Sequence, residues 1–157
     1  MKYFAKEYPD HVKGAVLDDY LARGWFRMRS SIFTTTHIIS RQETNLHRVW
    51  WLRYRIDDLM PHRSHVRIRR NHRGFRVLYD PQYFPSLEDK RLFDHYRSAI
   101  RFEHFSSIQE CLYTGEKHGV FDTHAIRVYD GHRLIGLSVF DTGRDSGAAI
   151  LQAYDPA

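Results

Sequence analysis

The chain contains a single cysteine, Cys111, in 157 residues. It can form no intramolecular disulfide and no metal site that needs two thiolates. No run approaches the roughly 18 apolar residues that a membrane-spanning helix requires. The opening stretch, MKYFAKEYPDHV, lacks the continuous apolar core of a secretory signal. There is no HExxH pair, and GEKHG at 115–119 is neither a Walker loop nor a dinucleotide fingerprint. Repeats and low-complexity tracts are missing as well. These absences predict a soluble, cytoplasmic protein of one domain spanning 1–157, with no membrane among its partners.

Hydrophobic residues make up 42% and aromatics 15%, enough to build a core. The net charge of +5 is unevenly spread. Residues 48–76 hold nine arginines against Asp57 and Asp58, a local charge of +7, which leaves −2 for the rest. Arginine presents a planar fork of donors that matches phosphate and carboxylate oxygens. A patch that exceeds the net charge of the whole chain points to nucleic acid or phosphate rather than to a merely solvated face. Eleven histidines are present, but neither His62 with His65 nor His118, His124 and His132 has recognised metal-ligand spacing, so no metal is expected. Cys111 shares an apolar helical face with Ile108 and Leu112 and reads as a buried, inert thiol.

Residues 15–23 place Val16, Leu17, Tyr20 and Leu21 on one helical face, with Gly24 as the stop. Residues 25–40 read as extended, and the chain turns around Gln42 to Asn45. From Arg48 to Ile56 the pattern alternates, which predicts a half-buried strand with Trp50, Leu52, Tyr54 and Ile56 inward and Trp51, Arg53 and Arg55 on the other face. Pro61 opens a short helix closed by Gly74, and Arg63, Arg67 and Arg70 share one of its faces. Phe75 to Leu78 is a further strand. Ser86 with Asp89 forms a capping box ahead of Leu87, Leu92, Phe93, Tyr96 and Ile100. Ser107 with Glu110 starts a shorter helix. Asp130-Gly131 joins two strands as a hairpin, and a third follows at 148–154. The result is an α+β fold with a mostly antiparallel sheet, an N-terminal segment at 1–40 and a core at 41–157. Its last strand ends beside open backbone. That predicts a domain incomplete at its C-terminus, which a second copy or a complementing chain would finish.

Several segments in order, YLARGWFR at 20–27, Ser64 with RRN at 69–71, VYDGHRLIGLSVFD at 128–141 and QAYDP at 152–156, resemble the aminoacyl-tRNA–protein transferases. These are the arginyl and leucyl transferases that mark protein N-termini for degradation. The resemblance implies a fold like the GCN5-related N-acetyltransferases (GNAT). It implies transfer of Arg or Leu from aminoacyl-tRNA to the α-amine of a protein with an acidic first residue. Aminoacyl-tRNA is then a co-substrate, no separate cofactor is needed, and DNA is not a partner.

Under this resemblance Arg67, Arg69 and Arg70, followed by Arg63 and Arg73, are candidates for tRNA phosphates. Arg53 or Arg55 would meet the acceptor's carboxylate, and Trp51 would stack on an unpaired base. A splay or bulge near Gln152 to Tyr154 would offer N–H groups to the acyl carbonyl. Tyr154 would pass a proton to the leaving oxygen, with Asp141 or Asp155 positioning the amine. The family's cysteine cluster is replaced here by SSIFTTTHIIS, so iron–sulfur or metal binding is not implied. Two other readings stand beside this one. The first is an acyl-CoA-dependent N-acyltransferase, although no pyrophosphate-binding glycine loop is visible. The second is a non-catalytic RNA-binding module.

Overall fold

A computed structural model describes residues 4–39, 45–58, 60, 62–100, 105–115 and 117–156. Its first sheet is antiparallel in the order β1-β3-β2, from β1 (Phe4–Glu7), β2 (Phe26–Met28) and β3 (Ser31–Thr35). Helix α1 (Ala15–Ala22) precedes β2 and buries Leu17 and Leu21, while Val16 stays exposed. Gly24 follows with φ +77°, a left-handed conformation that suits glycine. The expected extended stretch is folded back on itself at Arg29-Ser30, and Arg29 takes φ +59° there.

The short strands β4 (His37–Ile39) and β5 (Leu46–Arg48) form a separate two-stranded ribbon. The expected turn at 42–44 lies outside the described residues. The strand expected over 48–56 is a correction. Its ladder stops at Arg48, and a single 3-10 turn follows at Ile56–Asp58. Trp50, Leu52, Tyr54 and Ile56, assigned to the inner face, are 69, 72, 76 and 81% exposed. On the other face Trp51 alone turns inward, while Arg53 and Arg55 stay exposed. Trp51 stacks on Phe26 at 4.0 Å between centroids, and its Nε1–H donates to the Thr35 carbonyl at 3.0 Å. Alternation names the residues that share a face, but it does not supply the neighbour that buries one.

Helix α2 (Arg63–Asn71) forms where the sequence places it, capped by His62. Beyond it β6 (Arg76–Asp80), α3 (Leu87–Ala99), α4 (Ile108–Leu112), β7 (Thr123–Asp130), β8 (Arg133–Thr142) and β9 (Gly147–Tyr154) complete the chain. The four strands are antiparallel in the order β6-β7-β8-β9. The Ser86 capping box is present: Ser86 Oγ accepts from the Asp89 N–H at 3.2 Å, and Asp89 accepts from the Ser86 N–H at 2.8 Å. The hairpin turn is shifted by one residue from the expected position. Asp130 pairs with Arg133, so Gly131 and His132 are the central residues, and Gly131 carries φ +57°. Glycine at the first central position is what a type II′ turn needs.

Two apolar cores result. One joins Leu92 and Phe93 of α3 and Ile108 and Leu112 of α4 to Ala125, Leu137 and Val139. The other joins Val12, Leu17, Leu21 and Ile32 to Val120, Phe121 and Ala148. Ile150 packs against both.

Polar clasps tie the N-terminal elements to the β7–β9 meander. Arg27 Nη1 donates to Asp141 Oδ1 at 2.7 Å and to Thr123 Oγ1 at 2.8 Å, and Nη2 donates to the Leu112 carbonyl. The Arg27 and Asp141 side chains are 4% and 0% exposed. Asp18 of α1 accepts from the Arg144 and Asp145 N–H groups at 3.0 and 3.1 Å. Gly143 leaves room for that approach, because a Cβ there would lie 2.0 Å from Asp18 Oδ1.

Removing one partner of a buried pair strands the other charge. Arg27→Ala should therefore lose about 3–5 kcal/mol in urea unfolding. The double replacement Arg27→Met with Asp141→Leu should lose less than that, because no charge is left buried.

Candidate functional site

Helix α2 is held by the cap at its N-terminus rather than by a packed face. His62 Nδ1 accepts from the Ser64 N–H, and the His62 N–H donates back to His65 Nδ1, each at 3.4 Å. Val66 and Ile68 remain 61% and 52% exposed, so the helix buries almost no apolar surface. A nine-residue helix without a packed face is marginal in water. Arg63, Arg67, Arg69 and Arg70, with Arg73 just beyond, are all exposed. Among the described residues none of the five lies within ion-pairing distance of a carboxylate. Like charges three and four residues apart on a helix repel by about 0.2–0.5 kcal/mol per pair. An anion on this face would relieve that repulsion and help to order the helix.

The arginines of the 48–56 segment are differently placed. Arg53 Nη1 reaches the Leu21 carbonyl at 3.5 Å, and Arg55 lies 3.7 Å from Asp58. Trp51, the candidate for base stacking, has one face of its indole covered by Phe26, and Phe33 meets it edge-on at 5.6 Å. The ring is half-buried and is committed on that face to packing. The exposed indole of this segment is that of Trp50, with the Arg48 guanidinium 4.2 Å from its centroid.

Tyr154 and Asp155 are brought together at the end of β9. The Tyr154 ring meets Tyr96 of α3 at 4.9 Å and remains 55% exposed. The carboxylate of Asp155 is nearly buried, with Arg133 Nη2 at 2.6 Å and His95 Nδ1 at 3.7 Å. A groove of about 320 Å³ opens over Asp155, lined also by Glu88, Arg91, His95 and Arg133. Its charged lining is balanced, with Glu88 and Asp155 set against Arg91 and Arg133.

Asp141, the third catalytic candidate, is not at this end. Its carboxyl is fully enclosed and locked to Arg27 and Thr123, so it cannot meet an incoming amine. Burial raises its pKa, with Arg27 and Thr123 offsetting part of the effect. The expected bulge is displaced too. Gln152 to Tyr154 pair regularly with Ser138 to Gly136, and the ladder instead skips Ile150. Cys111 is buried and its thiol is pushed up to about 11 by desolvation, so it is a poor nucleophile. Among the described residues no group of three His, Cys, Asp or Glu is placed to hold a metal ion.

Two features escaped sequence reasoning. A cavity of about 290 Å³ lies between the β2–β3 hairpin, the loop from β6 to α3 and the segment from α4 to β7, lined by Arg27, Ser30, Phe84, Tyr113, His118 and Asp122. The second is a hydrogen-bonded chain in which Tyr79 Oη meets His124 Nδ1, and His124 Nε2 meets Thr142 Oγ1 at 2.8 Å. Each draws on segments far apart in the chain, and no spacing rule connects them.

The two tryptophans give a direct check on the placement. Trp51→Ala should cost about 3 kcal/mol of stability, and Trp50→Ala should stay within about 0.5 kcal/mol, as read by denaturant unfolding. Compared with known proteins, the chain matches no family model and no curated protein.

Proposed function

We propose that this protein acts on aminoacyl-tRNA, passing its amino acid to the α-amine of a protein with an acidic first residue. The observation that carries the reading is the face of α2. Arg63, Arg67 and Arg70 share that face, with Arg69 to one side and Arg73 just beyond the helix, and all five stand exposed with no carboxylate beside them among the described residues, on a helix that buries almost nothing. Phosphate contacts from such cations supply most of the affinity for nucleic acid and make it sensitive to salt. The strand order β6-β7-β8-β9, with α3 and α4 between β6 and β7, agrees with the first half of a GNAT-like fold.

In the reaction the neutral amine attacks the ester carbonyl, an amide forms, and the terminal ribose oxygen leaves. The amine's proton must reach that oxygen, and the exposed Tyr154 hydroxyl is the group we assign to carry it. Asp155, held by Arg133 and His95, orients the amine at the same end of β9. Arg53 or Arg55 takes the acceptor's carboxylate.

A second reading, a non-catalytic RNA-binding module, is favoured by one fact: both acidic candidates are already engaged by arginine. Two variants separate the readings. Replacing Arg67, Arg69 and Arg70 together by Ala should weaken tRNA binding and lower its log–log salt slope by about one for each phosphate no longer neutralised. Tyr154→Phe should reduce the transfer rate while leaving tRNA affinity intact. An unchanged salt slope would remove the assignment of α2. Normal transfer by Tyr154→Phe would remove the assignment of Tyr154, and tRNA binding without transfer by the unmodified protein leaves the module.

A further inference from the structure

We infer that the segment from Leu46 to Arg73 docks this protein on an anionic lipid surface. The starting point is the row that alternation assigned to the interior. Trp50, Leu52, Tyr54 and Ile56 are 69, 72, 76 and 81% exposed, and Met60, just beyond that row, is 81% exposed. Single exposed apolar residues are ordinary, but five large ones within eleven positions mark an interaction surface.

The same segment supplies the charge. The arginines of α2 and its C-terminal flank lack acidic partners among the described residues, and Arg48 lies over Trp50. Its acids are Asp57 and Asp58, and Asp58 faces Arg55. A partner must therefore be anionic and must also receive aliphatic side chains.

Three kinds of partner can be compared on those terms. RNA satisfies the arginines and could stack on Trp50 and Tyr54, but it gives Leu52, Ile56 and Met60 nothing apolar to enter. A second copy meeting this face through a two-fold axis would set arginine against arginine. A bilayer surface offers phosphate headgroups for the arginines and an acyl boundary for the aliphatic groups. Its headgroup level is where Trp and Tyr rings settle. Basic residues with adjacent apolar groups are the combination that binds anionic leaflets. The lack of a spanning helix among the described residues does not bear on docking of this kind. The inference stands independently of the transfer reaction, because only the arginines are shared with tRNA and the apolar row is not.

The test is co-sedimentation of the full chain with vesicles of phosphatidylcholine alone and of phosphatidylcholine mixed with phosphatidylglycerol. Pelleting with the mixed vesicles and not with phosphatidylcholine alone is expected. The double variant Leu52→Ser with Ile56→Ser, which leaves the charge unchanged, should bind the mixed vesicles about tenfold more weakly or worse. Its tRNA affinity should be unchanged. Tyr54→Ser with Met60→Ser gives a second, independent pair should the first fail to fold. Absence of pelleting with mixed vesicles overturns the inference, and so does pelleting undiminished in both variants. Loss of tRNA affinity in the same variants would assign the row to RNA and overturn it equally.

Discussion

The ion pair of Arg27 with Asp141 is the constraint on which the arrangement of this molecule depends. A guanidinium and a carboxylate are both almost wholly withdrawn from water, which is costly unless each finds several partners. Arg27 answers that by spreading its donors over Asp141, Thr123 and the carbonyls of Arg29 and Leu112. Those partners belong to the β2–β3 turn, α4, β7 and β8, so one side chain fixes four parts of the chain at once. The Phe121 ring lies 4.5 Å from the guanidinium and shields it further. Asp18, reaching from α1 to the β8–β9 loop, provides a second clasp on the same pair of units.

Arg127 solves a similar problem inside the meander. It stands on the core-facing side of β7 with Ala125 and Tyr129, where an unpaired cation would be untenable. Asp89 receives its Nε and Nη2 at 2.8 Å each, and Asp80 receives Nη1 at 2.9 Å. Burial pushes the Asp89 carboxyl up, but hydrogen bonds from Arg127 and Ser86 outweigh it and hold the group below its ordinary range. The Asp of the α3 capping box is thus also the counter-ion of β7, which couples the helix start to the sheet. These paired arginines contrast with those of α2, which share the residue type but have no acid beside them among the described residues. That contrast singles out α2 as the candidate binding face and marks Arg27 and Arg127 as structural.

Local chemistry was readable in the amino-acid sequence wherever a few adjacent residues settle the conformation. The Ser86–Asp89 capping box, the glycine after α1 and the hairpin at Gly131 all have local causes, and each is present, with the turn moved by one residue. Arg27 and Asp141 lie 114 positions apart, and nothing near either residue announces the other. The 48–56 segment shows the opposite failure, because its alternation is real but the β4–β5 ladder stops after three pairs. One hydrogen bond from Trp51 to the Thr35 carbonyl then inverts which aromatic is inside. At the candidate site, Tyr154 and Asp155 come together because they are neighbours in sequence. Asp141 does not join them, because its charge is consumed by Arg27.

The central functional claim is that the chain transfers an amino acid rather than merely holding RNA. Its most direct test is mass spectrometry of peptides beginning with Asp, Glu or Lys after incubation with tRNAs charged with Arg, Leu or Phe. A gain of one amino-acid residue is expected on the acidic peptides from tRNA charged with Arg or Leu, and none on the Lys peptide. Absence of any mass shift with the folded chain would contradict the claim.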